Sequence, residues 1–365
     1  MALQRGYLLI ADLSGYTAYL TSTELDHANG VIAALLEVLV SRLGSPMHLW
    51  RLEGDAVLAY TTDPSFPSGE TFLTICEDLY AAFKERQLDI HASSTCECRA
   101  CAQVPELDLK IFVHHGQFEE MSIGSMRDIS GPDAIVVHRM TKSKVREATG
   151  IESCAVVSSA AFEAMKAPSG LVAHSEPIEH FGEVEMHAYD LDAAWNRLRA
   201  KRTRVLVEEA DALWTYRFHL AVPTRVAWEI LVSPRTKKQW MQLISVDMIA
   251  DDGRPGPGAR FHCVHAIGEF TSWIADWEPF DYHTNRYLNV MHPHLSHYET
   301  YALEATPEGG TEVRYTMGRM FDAEQPEAGP YPDEDASLRD AYEAVLAPMW
   351  EALSSQLASD PSTYG

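Results

Sequence analysis

Ile10-Ala-Asp-Leu-Ser-Gly-Tyr-Thr17 ends a short apolar run, Gly6–Leu13, in an acidic residue and a turn. Such a run, closed by Ser-Gly, reads as a buried strand that feeds a turn. A second acidic turn follows at Arg51-Leu-Glu-Gly-Asp-Ala56, between the two halves of a strand–turn–strand segment at His48–Tyr60. Asp12 and Asp55 are the centres of the two turns. Two carboxylates on adjacent strand ends hold divalent cations with open positions for phosphate oxygens. Each turn also has a plain structural reading, with Asp12 capping the turn that follows it and Gly54-Asp55 closing a hairpin.

Working outward, Thr23–Leu43 carries apolar residues at helical spacing (Val31, Leu35, Leu36, Leu39, Val40, Leu43) and stops at Gly44 and Pro46. Phe72–Arg86 is a second helix and Leu107–His115 a further strand. Helices follow at Asp133–Lys144 and Ser158–Met165, and Val184–Tyr189 alternates as a closing strand. Strands and helices thus alternate to about residue 190, an α/β or α+β sandwich. Beyond Arg197–Arg204, a basic stretch read as a linker or a linker helix over 196–206, the style changes. Trp214–Val222 is a strand, two short helices follow at Pro223–Leu231 and Pro234–Met241, and aromatic and β-branched strands run to about Met320. Asp322–Asp335 reads as an acidic loop and Ser337–Leu357 as a long closing helix. The 365 residues exceed what one core organises, so two domains are expected, 1–195 and 207–360.

A formal charge of -24 repels phosphate backbones and anionic lipid, which argues against nucleic-acid and membrane partners. It does not argue against nucleotides, because a bound divalent cation reverses the local sign. No signal peptide or spanning run is read, so a soluble, cytoplasmic protein is expected.

The segment around Asp12 resembles the strand-to-helix turn of class III adenylate and guanylate cyclases, and Arg51–Ala56 resembles that family's Gly-Asp hairpin. Asp128-Ile-Ser-Gly131 through Arg139 is similar to its second active-site stretch, and Leu109–Gly116 to its strand ending in His-x-Gly. The resemblance covers about residues 6–190. It implies a ferredoxin-like, cyclase-type fold in which Asp12, the Leu13 carbonyl and Asp55 bind Mg²⁺ or Mn²⁺. It implies that Arg139 stabilises charge on the phosphoryl group, with Asp12, Asp55 and Arg139 as the catalytic set. Arg51, Asp128 and Gly131 become the nucleotide-binding positions, and a homodimer is implied because the family's domains pair head to tail. The pairing of Arg51 as donor with Asp128 as acceptor favours ATP over GTP. An Arg51–Asp128 salt bridge without ligand is the bland alternative. Two departures stand out. Ile135 occupies the place of the family's ribose-orienting Asn, and Glu179-His-Phe-Gly-Glu183 lacks its triphosphate-binding Lys. Two functions stay open: slow conversion of ATP to 3′,5′-cyclic AMP, or a non-enzymatic sensor of nucleotide and ligand.

Cys96-x-Cys98-x-x-Cys101 sits in a polar insertion at about 91–104. Three thiolates at this spacing wrap one tetrahedral Zn²⁺, with His91, His114 or His115 as fourth ligand. The alternative is three reduced, metal-free cysteines. The insertion also resembles that of an uncharacterised bacterial family with a cyclase-like fold. His292-x-His294-x-x-His297 catches the eye but lacks a clear partner carboxylate, so histidines lining a cavity or bonded to backbone are expected there.

The second half resembles the START-like (SRPBCC, polyketide cyclase-like) superfamily, carried by Phe218–Trp228, Lys238-Gln-Trp240, Trp273 and Trp277. This implies a helix-grip α+β fold around a pocket for an apolar small molecule or lipid. Trp240, Phe261, Phe270, Trp273, Tyr287 and Tyr301 are the expected lining, unless the same aromatics simply pack a core.

Overall fold

The structure, a computed structural model, describes residues 3–62, 70–93, 98–124, 126–166, 170–266, 268–288, 294–324 and 332–364. The chain divides into two compact units, Met1–Asn196 and Arg197–Gly365. Each has its own sheet, and the architecture is mixed α+β. No helix among the described residues is long and apolar enough to cross a membrane.

The first unit opens with β1 (Leu3–Ser14), α1 (Tyr16–Ser22), α2 (Leu25–Arg42), β2 (His48–Glu53), β3 (Ala56–Thr62) and α3 (Glu70–Ser93). It continues with α4 (Arg99–Ala102), β4 (Asp108–Ile123), β5 (Met126–Ser130), α5 (Pro132–Met140), α6 (Val145–Thr149) and β6 (Cys154–Ser158). It closes with α7 (Ser159–Met165), β7 (Val172–Ile178), β8 (Gly182–Asp190) and α8 (Leu191–Lys201). The sheet order is β2-β3-β1-β4-β6-β8-β7, with β5 paired to β4.

β1 runs in the middle, antiparallel to β3 and to β4. Its continuous apolar run is explained by burial on both faces. Leu8 and Ile10 join Phe112, Val136, Val137 and Met140 in one core layer. Tyr7 points the other way, its ring 4.5 Å from that of Phe72 on α3. Burying both faces leaves the strand's ends as the places where a charge can reach water. Asp12 stands at one of them.

The second unit contains β9 (Trp214–Leu220), α9 (Thr224–Val232), α10 (Pro234–Trp240), β10 (Ser245–Ile249), β11 (Arg260–His265) and β12 (Gly268–Glu278). β13 (Tyr282–Leu288), β14 (Leu295–Ala305), β15 (Thr311–Met317), β16 (Phe321–Asp322) and α11 (Pro332–Ser359) complete it. Seven strands form an antiparallel path, β10-β11-β12-β13-β14-β15-β9, and β16 pairs with β14. α11 lies on this sheet: Trp350 stacks on Phe218 of β9 with ring centroids 5.1 Å apart. The helix starts at Pro332, inside the stretch expected to be an acidic loop.

The basic stretch begins in α8, and Arg197 pairs with Asp252 at 3.1 Å. Arg202, largely buried, pairs with Asp276 at 2.5 Å and Glu278 at 2.7 Å.

Candidate active site

Asp12 lies opposite Ala56 of β3 and Lys110 of β4. Asp55 forms the turn between β2 and β3 with Gly54, whose φ of 63° is in the left-handed region that glycine enters without strain. The Leu13 amide donates to the Asp55 carbonyl at 3.3 Å, tying the turn to the end of β1. The two carboxylates therefore belong to adjoining strand ends.

The residue that caps α1 is Gly15, with φ of 87° and no side-chain hydrogen bond. Among the described residues no hydrogen bond or ion pair reaches the Asp12 carboxylate. Burial, and then the negative charge of Asp55, push it up to about 6, against a smaller pull from Lys110. Burial raises Asp55 as well, opposed by a backbone hydrogen bond. Two partly buried carboxylates with raised proton affinity, one of them without a hydrogen-bond or ion-pair partner among the described residues, suit a divalent cation.

The sign of the pH effect follows. Asp12 is raised in the folded chain, so its protonation favours the fold below about pH 4, and that contribution is lost as pH rises through about 6. Above that point the ionised pair is available to a cation. Mn²⁺ affinity is expected to be level from pH 7 to 8 and to fall about tenfold per pH unit below about 6, because one proton competes for the site. Titration of Mn²⁺ by electron paramagnetic resonance at stepped pH measures this. An affinity unchanged down to pH 5 overturns the assignment.

Arg51 and Asp128 meet at one edge of the sheet, on β2 and β5. The guanidinium reaches the two carboxylate oxygens at 3.2 and 3.0 Å. Trp50, which the sequence did not single out, donates its indole N–H to Asp128 at 2.6 Å and stacks under Arg51 at 5.0 Å. Burial would raise Asp128, but the Trp50 and Ile129 N–H groups and the Arg51 charge hold it below the usual carboxylate range. Arg51 also reaches Glu53 at 3.0 Å.

Gly131 precedes α5 with φ of 143°, and a Cβ there would stand 3.2 Å from the Gln117 carbonyl. α5 carries Ile135, half exposed, and Arg139, exposed, one turn apart on one face. Among the described residues Arg139 has no carboxylate partner. Asp133, in the first turn of α5, accepts from the Gln117 amide at 2.7 Å and bonds His114 at 2.9 Å. His114 also bonds Ser158 at 2.8 Å. The Asp133 carboxyl fills the space that a Cβ of Gly116 would occupy, 2.2 Å away. That explains Gly116, and it makes Asp133 the residue that positions α5. The only signal in the sequence is an acidic residue just after Gly-Pro.

The cysteine insertion takes a partner from elsewhere. Cys98 caps α4 and accepts from the Cys101 amide at 3.4 Å. His27 of α2 brings Nδ1 to 3.2 Å from Cys98 Sγ and 4.0 Å from Cys101 Sγ. Cys96 lies outside the described residues. The expected histidines do not assemble here: His114 is bound to Asp133 and Ser158, His115 packs on Tyr7 at 4.8 Å, and His91 is not among the converging side chains. Nothing in linear spacing links His27 to residues 98–101. The contact is made by α4 folding back on α1 and α2, where the Ala100 amide donates to Glu24 at 3.1 Å and Tyr19 donates to the Ala100 carbonyl at 2.8 Å.

In the second unit, strand alternation sorts the expected lining. Phe261, Tyr287 and Tyr301 stand on the sheet face that receives the helices, and Phe270 shares that face. Trp240 is buried and donates to the Ile230 carbonyl at 2.9 Å. Trp273 points to the opposite face, where Arg286 covers its ring at 4.9 Å, because it alternates with the inward Ser272 and Ile274. His297 finds the carboxylate that the sequence left unassigned: Glu299, 2.9 Å away and fully buried. His292 lies outside the described residues.

A β-sheet with two acidic turns at adjoining strand ends defines the class of site; relatives follow from comparison. A family model described as a protein of unknown function (DUF2652) matches residues 32–149. An uncharacterized protein of Mycobacterium tuberculosis, Rv2561/Rv2562, is 28% identical over 163 residues, 44% of this chain and 73% of that protein. The solved guanylyl cyclase Cya2 aligns at TM-score 0.38 and 13% identity, over 51% of this chain and 92% of its own. The guanylate cyclase domain of RhGC from Catenaria anguillulae, in complex with GTP, gives 0.39 and 13% over 52% and 97%. The adenylyl cyclase CyaB from P. aeruginosa gives 0.37 and 14% over 52% and 97%. Likenesses of this size carry no weight for function.

Proposed function

We propose that the first unit is a divalent-metal-dependent, nucleotide-binding domain of adenylate cyclase type, converting ATP to 3′,5′-cyclic AMP and pyrophosphate. The second unit, read as START-like, binds a small molecule that controls it. The observation that carries the reading is the pair Asp12 and Asp55 at adjoining strand ends, with no ion-pair partner for either among the described residues. Mg²⁺ or Mn²⁺ held there, with the Leu13 carbonyl, supplies charge neutralisation for a triphosphate and acidifies a ribose hydroxyl. Asp128 accepts from the adenine amino group and Arg51 donates to a ring nitrogen once their mutual salt bridge opens. Arg139, free of any carboxylate and beside the exposed Ile135, is presented to a second copy, where it stabilises charge on the phosphoryl group. The reading is tested by cyclic-nucleotide production from ATP and GTP with Mn²⁺. Product from GTP at the rate of ATP removes the base assignment, and no product with Mn²⁺-dependent ATP binding selects the second reading.

That second reading is a non-enzymatic sensor. It is favoured by Ile135 in place of an amide and by Arg51 and Asp128 closing on each other.

The insertion holds Zn²⁺ through His27, Cys98 and Cys101. A tetrahedral zinc with bonds of about 2.0–2.3 Å sets its ligand atoms about 3.5–3.8 Å apart, and the two separations from His27 bracket that range. The ion would fasten α4 to α2. Purified protein is expected to carry one zinc per chain by mass spectrometry, and His27→Ala to lose it. Full zinc occupancy in His27→Ala overturns the assignment of that ligand.

A further inference from the structure

The interior of the second unit includes a group of buried polar side chains, and several have nothing to bond. On β13 the inward residues are His283, Asn285 and Tyr287; facing them on β14 are Tyr301, Glu299 and His297. Tyr315 of β15 lies next to Tyr301. Both ring nitrogens of His283, both amide atoms of Asn285, Nδ1 of His297 and the Tyr315 hydroxyl are buried without a hydrogen-bond partner. Buried polar atoms are nearly always satisfied, by protein, water or ligand. A cluster of them on three adjacent strands marks a place where something else binds.

Two further observations bear on what could be held there. Tyr287 and Tyr342 are enclosed so deeply that burial pushes both phenols well above their ordinary range. Each nevertheless keeps some accessible surface. They stand on either side of His297, whose ring centroid lies 5.6 Å from Tyr287 and 5.3 Å from Tyr342. The third element is a charge. Lys237 of α10 is buried with its ammonium 4.5 Å over the Phe261 ring, and no carboxylate lies within ion-pair reach among the described residues. Cys263, His283 and Glu299 are close enough to feel it, while Glu299 is already engaged by His297.

We propose that this interior binds a small planar aromatic acid carrying a hydroxyl group, a hydroxyarene carboxylate. The carboxylate answers the unpaired Lys237 ammonium. The ring lies among Phe261, Tyr287 and Tyr342, and the hydroxyl and carboxylate oxygens satisfy Asn285 and His283. A lipid chain fails on the same observations, because it would leave every one of those polar atoms and the ammonium unpaired. The inference rests on the reading of the second unit as ligand-binding and replaces the apolar ligand that the sequence suggested.

The test is calorimetric titration and thermal melting of the full chain with 1-hydroxy-2-naphthoate, beside myristate and naphthalene. The hydroxynaphthoate is expected to bind at micromolar concentration and raise the melting temperature. Lys237→Met should weaken it at least thirtyfold and Asn285→Leu at least tenfold. Lys237→Met without ligand should melt no lower than the parent, since it removes a buried unpaired charge, so lost binding will not reflect lost folding. Myristate binding with no response to the hydroxynaphthoate overturns this inference and leaves a ligand-binding unit standing. Binding equal in the parent and in Lys237→Met also overturns it. If nothing binds and a crystal structure shows only ordered water on His283 and Asn285, both fall together.

Discussion

Asp55→Asn is expected to abolish cyclic-nucleotide formation, by at least about a thousandfold, roughly 4 kcal/mol of transition-state stabilisation. The substitution keeps the shape of the turn and its backbone bond to Leu13, and removes one of the two charges that a cation needs. Asp12→Asn should do the same to activity and have an opposite effect on stability. In metal-free protein at pH 7 the Asp12 carboxylate is ionised, buried and beside a like charge, so neutralising it should raise the melting temperature. Mn²⁺ should then stabilise the parent and leave Asp12→Asn unmoved. Rates from steady-state assays, and melting with and without Mn²⁺, measure both effects. A variant that keeps its activity places the chemistry elsewhere. A variant that loses activity but still responds to Mn²⁺ separates binding from turnover.

Gly6→Ala is expected to disrupt the first unit. A Cβ at this position would stand 1.8 Å from the Thr61 carbonyl oxygen, a backbone atom of the neighbouring strand. Gly6 pairs with Thr62 on one side and with Gly116 on the other, so β1 has no free side toward which to shift. The strand must part from β3, at a cost above about 3 kcal/mol, and Asp12 is carried on the same strand. Gly30→Ala is the control. Nothing lies within 4 Å of a Cβ there, and the residue sits inside α2. That change should stabilise by about 0.5–1 kcal/mol. Urea unfolding of the two variants beside the parent gives the comparison. Equal stability in all three would mean that β1 and β3 tolerate a separation that their hydrogen-bond register does not suggest.

Local pattern made most elements of the fold readable. Continuous apolar residues marked β1 because both its faces are buried, and helical spacing marked α2 because one face is. The two acidic turns were visible for the same reason: a carboxylate that ends an apolar strand is conspicuous in one dimension. Arg51 and Asp128 could be named singly, but their approach, and the indole of Trp50 beneath them, depend on β2 and β5 reaching the same edge of the sheet. The cysteines announced a cluster, whereas His27 is about 70 residues away in sequence and comes in only because α4 folds onto α2.

The second unit shows the division most plainly. Its sequence is rich in aromatic residues and suggested an apolar pocket. Only strand register could turn Trp273 outward and turn His283, Asn285 and Glu299 in. Composition and periodicity fix which segments become strands, because those depend on neighbours in the chain. Which polar atoms end up buried without partners depends on pairing across strands and on the helices laid over them, and those contacts exist only in three dimensions.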